Sequence, residues 1–171
     1  MINIAHIHPM LIHFPLALTP VAVAMQLFAV FKGRRIFEKG CLQATAVGLL
    51  ALAAITAVIA AVFGDMALDQ ALDAGVSKDL LEGHEEFGMI SAVVISLLAI
   101  VEIFLYRRQV TLTVAGNGAT VAGVVMVLLL ITTAYFGGDL VYEHGVNVAQ
   151  LPEKKAAMET SAPGQMQSPP R

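Results

Sequence analysis

Three of the five histidines lie within the first thirteen residues, as His6, His8 and His13, in a run that reads His8-Pro9-Met10-Leu11-Ile12-His13-Phe14-Pro15. The other two are His84 and His144, each also beside an apolar stretch. An imidazole in hydrocarbon costs free energy unless it has a partner, so rings placed where an apolar helix begins mark a functional site. Two chemistries suit them. Haem b takes two axial imidazoles from facing helices, and each ring needs an acceptor for its other N–H. A zinc or copper ion takes three or four ligands from histidines and carboxylates at shorter mutual distances.

The residues expected to bind cofactor or metal are His13, His84, His8 and His144. The expected axial pair is His13 with His84, and the alternative pair is His8 with His144. Asp65, Glu85 and Asp139 are the expected hydrogen-bond partners of those rings, with Glu86 and Glu143 also within the same region of sequence. Met10, Met66 and Met89 are soft sulfur donors that would favour Cu(I), although ordinary core filling explains methionines as well. No Gly-x-Ser-x-Gly is present, His84-Glu85-Glu86 lacks the second histidine of a zincin, and no phosphate-binding glycine loop occurs. The chain therefore reads as an electron-transfer or binding protein rather than a stand-alone enzyme. A purely structural membrane subunit is the remaining reading.

The elements that must position these rings follow from composition. Of the 171 residues 57% are hydrophobic and 13% charged, and the mean hydropathy is +0.77. Soluble domains carry roughly 25% charged residues, so the composition predicts an integral membrane protein. Four apolar runs are each long enough to cross a bilayer core, which needs about 20 helical residues. They cover about residues 9–31, 41–63, 84–106 and 114–136, and predict an all-α, four-helix transmembrane bundle over residues 1–148. Pro15 and Pro20 are interior to the first span and each removes a backbone hydrogen bond. Ala44 and Gly48, then Ala53, Ala57 and Ala61, and later Ala115, Ala119 and Gly123, repeat at intervals of four, a small-residue pattern for close helix contact. The same stripes would suit a homodimer. Asp65, Asp69 and Asp73 make one acidic helical face if the second helix continues, with Gly75 as its stop and Ser77 as the next cap. Glu102, one turn before Arg107 and Arg108, is expected to pair with them at the surface. Residues 149–171, proline-rich and poor in apolar residues, read as a disordered tail.

The first and third loops hold Lys32, Arg34, Arg35, Lys39, Arg107 and Arg108, whereas the second holds Lys78 alone. By the positive-inside rule the first and third loops are cytoplasmic, and both termini lie on the outer, periplasmic side. All five histidines then fall at the outer face. Counting from the cytoplasmic ends, His13 stands roughly 27 Å up its helix, His84 roughly 32 Å and His8 roughly 34 Å, so rings from different helices share a level. The net charge of −3 argues against nucleic acid as a partner. The single cysteine, Cys41, excludes an internal disulfide and a Cys-rich metal site.

The opening His8-Pro9-Met10-Leu11-Ile12-His13-Phe14-Pro15-Leu16-Ala17-Leu18 resembles the His-Pro-x-x-x-His-Phe-Pro-Ile-Ala-Leu start of the DUF2231 family of small bacterial membrane proteins. The closing Gly137-Gly138-x-Leu140-Val141-Tyr142-x-His144-Gly145-Val146 is similar to the same family's last motif. Gly64-Asp65 and His84 stand where that family has a Gly-Asp and a histidine. The likeness covers about residues 6–148, with Leu16 in place of isoleucine as the one departure. It implies four spans in the bacterial cytoplasmic membrane. Members joined to cytochrome c-like or Rieske-like domains imply electron transfer, between membrane quinol and a carrier outside, and favour haem over a bare metal ion.

Overall fold

The computed structural model describes residues 4–148, with side chains from His6 onward. The expected disordered tail lies outside the described residues. Four helices account for nearly all of them: α1 (Ile4–Phe31), α2 (Cys41–Asp73), α3 (Lys78–Arg107) and α4 (Thr113–Tyr142). All four are long and apolar enough to cross a membrane, and no strand occurs among the described residues.

The helices hold 28, 33, 30 and 30 residues. At 1.5 Å per residue each is about 42–50 Å long, longer than the roughly 30 Å hydrocarbon core. Their ends therefore stand clear of the apolar layer, and that is where the charged residues are. The acidic segment continues α2 through Asp65, Asp69 and Asp73 instead of forming a separate loop. Gly75 ends it as expected, at φ 91°, with Val76 N–H closing onto the Ala71 carbonyl at 3.0 Å. Ser77 is the residue before α3, although its side chain makes no capping bond. Helix α1 runs through Pro9, Pro15 and Pro20, and α4 continues through Gly137-Gly138 to Tyr142.

Each helix packs against its neighbours in sequence, and α1 closes the ring against α4. No Cα pair between α1 and α3 comes within 8 Å. These two helices are thus the diagonal of a square bundle, and so are α2 and α4. The central core is built of Ala22, Leu50, Ala53, Ala57, Ile95, Ala99, Met126 and Leu130. Small residues on α2 bring its neighbours close. Ala46, Ala53, Ala57 and Ala60 are buried, whereas Ala44 and Gly48 of the expected stripe are exposed. Large apolar side chains such as Phe28, Ile55, Leu97, Ile100, Leu128 and Ile131 point outward. An apolar outer surface of this kind is solvated by lipid.

The two ends differ. One, the basic end, holds the α1–α2 and α3–α4 connections. There Ile36 and Phe37 tuck under the bundle against Ala119, and the Arg35 guanidinium donates to the Thr111 carbonyl at 3.1 Å. The other, the histidine end, holds the start of α1, the α2–α3 turn and the end of α4. Past α4 the chain turns at Gly145, Val146 N–H returns to the Leu140 carbonyl at 2.9 Å, and buried Val146 packs with Ala71 and Leu81.

At Gly123 of α4 a side chain of α1 comes close to the helix backbone. A Cβ built there would lie 2.7 Å from Val23 Cγ2, so a larger residue must push the helices apart. Replacing Gly123 by Leu is expected to destabilise the bundle by about 1–3 kcal/mol, read as a lowered thermal unfolding midpoint in detergent. Gly118→Ala, at a position with no neighbouring atom within 4 Å, is expected to keep or slightly raise that midpoint, because alanine is the better helix former.

Candidate functional site at the histidine end

The structure brings two of the histidines together across the bundle diagonal. The ring centres of His8 on α1 and His84 on α3 are 6.0 Å apart, with ring planes at 81°. Each ring is anchored on a third helix. His8 Nδ1–H donates to the Ala60 carbonyl of α2 at 2.8 Å, and His84 Nδ1–H donates to the Thr133 carbonyl of α4 at 3.1 Å. A carbonyl can only accept, so these bonds put the hydrogen on Nδ1. A neutral ring then carries its lone pair on Nε2, the atom that binds metals. Neither Nε2 has a hydrogen-bond partner among the described residues.

Both anchoring carbonyls belong to residues four before a glycine, Gly64 and Gly137. Within a helix those are the carbonyls that the two glycine N–H groups use, so each histidine adds a second donor to an oxygen with two lone pairs. It reaches that oxygen by lying over the glycine. A Cβ on Gly64 would fall 2.9 Å from His8 Cε1 and Nδ1, and a Cβ on Gly137 would fall 2.8 Å from His84 Cε1. The missing side chains are thus the space that the imidazoles fill. Around His84, the Ser91 and Thr133 hydroxyls share a hydrogen bond of 2.9 Å, and Phe87 stacks on Phe136 at 5.1 Å. These contacts fix α3 against α4 at the level of the ring.

Both histidines line a cleft of about 450 Å³, within the range of small-ligand and cofactor pockets. Its wall is largely apolar, from Ile12, Leu16, Leu68, Leu81, Met89 and Leu130, with Gly64, Gly88, Gly137 and Gly138 leaving the helix backbones bare. Asp65 and Glu85 lie at its margin, as two of the expected partner carboxylates, but the histidines bond to backbone carbonyls and not to them.

The remaining site residues go elsewhere. His13, expected opposite His84, is exposed, and its Nδ1 bonds to the Pro9 carbonyl one turn back in its own helix. The reason is angular: five residues turn a helix by about 500°, so His13 points roughly 140° away from His8. Depth counting places a residue along a helix and says nothing of the direction it faces. His144 is about two-fifths exposed beyond the end of α4 and pairs with Asp139 at 3.6 Å. Helix α4 does not fold back over the bundle, so neither residue lines the cleft. His6, Met10, Met66, Glu86 and Glu143 are exposed. Among the described residues no group of three or more His, Cys, Asp or Glu side chains is arranged to hold a metal ion.

A four-helix membrane bundle with a cross-diagonal histidine pair over an apolar cleft is the class of protein that these features define. The profile of the family described as a predicted membrane protein (DUF2231) matches residues 5–150, and the chain belongs to that family. No curated protein and no solved structure matches the chain.

Because each ring depends on one glycine, the two are separable by substitution. Gly64→Ala is expected to displace His8 alone, and Gly137→Ala to displace His84 alone. The check is nitrogen NMR of histidine-labelled protein. The native chain should show three rings with hydrogen on Nδ1, those of His8, His13 and His84, and each variant should lose one. Gly138→Ala, which meets no atom within 4 Å, should keep all three.

Proposed function

We propose that this chain is a b-type cytochrome-like membrane protein, with haem b in the cleft at the histidine end and His8 and His84 as the axial pair. The observation that carries this reading is the pair itself: two imidazoles tied through Nδ1 to main-chain carbonyls, with Nε2 unpartnered among the described residues, at an apolar cleft. Haem needs only two protein ligands, since the porphyrin supplies the other four. A bare zinc or copper ion would need three or four from the protein. His8 and His84, with ring centres 6.0 Å apart, would be the two residues that hold the group.

When bound, haem would supply a one-electron couple. The chain's own residues then have definite tasks. Ala60 and Thr133 fix the two rings through their carbonyls and raise the donor strength of Nε2. Gly64 and Gly137 let the rings approach. Leu16, Leu68 and Leu130 keep water away, which disfavours added charge and so tunes the potential.

The loop charges support an orientation with the basic end in the cytoplasm of a bacterial inner membrane, which puts the cleft at the periplasmic side. The partners that fit this placement are quinol in the membrane and a cytochrome or Rieske-type carrier outside it. With no histidine at the basic end, electrons would enter and leave near one face.

The test is the visible spectrum of the full chain purified after expression with haem supplied, first oxidised and then reduced with dithionite. A Soret band with sharp α and β bands on reduction is expected. His8→Ala and His84→Ala should each abolish the low-spin bands, while His13→Ala and His144→Ala keep them. A colourless protein with stoichiometric zinc or copper would overturn the reading in favour of a metal-binding module. A colourless, metal-free protein would leave the histidines a structural role.

A further inference from the structure

The second polar bridge across the diagonal lies near the basic end. Glu102 on α3 is fully buried, and Gln26 on α1 is 2% exposed. Gln26 Nε2–H donates to Glu102 Oε2 at 2.7 Å. The expected pairing of Glu102 with Arg107 and Arg108 does not form. Both arginines are exposed, and among the described residues no Lys or Arg side chain lies within salt-bridge distance of a carboxylate. Glu102 is the only ionisable side chain in the buried set of described residues. The other buried polar groups near this end are Gln26 on α1, Gln43 on α2 and Thr120 on α4, and none of them carries charge.

Two oxygens of the bridge have no partner among the described residues, Glu102 Oε1 and Gln26 Oε1. Both are acceptors if the carboxyl is ionised, so the site then holds an unpaired anion and two unsatisfied oxygens in an apolar bundle. Such a group is costly to bury, and a carboxyl without a cation takes up a proton instead. One proton on Glu102 Oε1 supplies the missing donor. It gives the acid–amide pair a second hydrogen bond, to Gln26 Oε1, and removes the charge.

One member of this pair, Gln26, also borders a crevice on the loop side. A narrow crevice beneath the α1–α2 connection is lined by Gln26, Gln43 and Ile36, and is too small to hold a water molecule at rest. Gln43 is 4% exposed, its Oε1 also lacks a partner among the described residues, and its Nε2 donates to the Arg35 carbonyl in the loop. A second amide therefore stands between the loop and the buried pair.

We infer that Glu102 and Gln26 form a proton-binding site, reached from the basic end past Gln43. It is separate from the histidine cleft, and the inference does not rest on the haem reading. No electron or bond other than O–H is involved: a proton from water adds to one carboxylate oxygen and leaves by the same path.

The experiment is infrared spectroscopy of the full chain in lipid vesicles at neutral pH. A C=O band of a protonated carboxylic acid is expected. It should shift down on transfer to D2O and be lost in Glu102→Gln. That variant keeps both hydrogen bonds of the neutral pair and should unfold at the same temperature as the native chain. Gln26→Leu should keep the band at higher frequency, because the acceptor is gone, and assigns it even if Glu102→Gln does not fold. Gln43→Leu should slow the D2O shift several-fold. Absence of the band in the native chain, its survival in Glu102→Gln, or no shift in D2O would overturn the proton site. An unchanged exchange rate in Gln43→Leu would overturn the route.

Discussion

A polar side chain inside an apolar bundle must find a partner, and in this protein four such groups on α1 and α3 find theirs either across the diagonal or on the helix beside it. Helices α1 and α3 do not touch through their backbones. Two side-chain pairs face each other between them, His8 with His84 and Gln26 with Glu102, the latter directly hydrogen-bonded. Eighteen residues separate the members on each helix. At 3.6 residues per turn that is five full turns, so both pairs use one face of each helix. They sit about 27 Å apart along the axis, close to the thickness of a bilayer core. Of the two, Gln26–Glu102 ties α1 to α3 directly, whereas His8 ties α1 to α2 and His84 ties α3 to α4.

The two bridges solve the same constraint with different resources. The histidines use spare acceptor capacity on the carbonyls of Ala60 and Thr133, and glycine provides the access. Satisfying Nδ1 this way leaves Nε2 uncommitted, so the anchored rings still have a ligand atom to offer. The Gln26–Glu102 pair has only one of its two hydrogen bonds in place, and completing it needs a proton. One end of the bundle thus offers lone pairs at an open, mostly apolar cleft, while the other encloses an acid.

Much of the fold could be read from the chain. The four spans follow from hydropathy and length, Gly75 from the end of the acidic segment, and the gathering of His8 and His84 at one end from counting residues. What could not be read were directions. His13 and His8 differ by five residues and so differ in facing, but α1 is apolar on every side and offers no amphipathic stripe to say which side is inside. Glu102 stands near two arginines in sequence, which suggested a surface pair. Its actual partner is 76 positions away and is an uncharged glutamine within an apolar run. The five-turn spacing was present in the numbering, but it has meaning only once α1 and α3 are known to be parallel and opposed.

The sequence by itself determined that the chain spans a membrane four times, which end holds the histidines and which the basic residues, and where α1 and α3 stop. Those properties depend on composition summed over many residues, and local order is enough to set them. Only the tertiary structure decided that His8 is the ring facing His84, that Gly64 and Gly137 make room for those rings, and that Glu102 is enclosed with Gln26. Those depend on the rotation of one helix against another, which is set by packing among all four and is not recorded in any single segment.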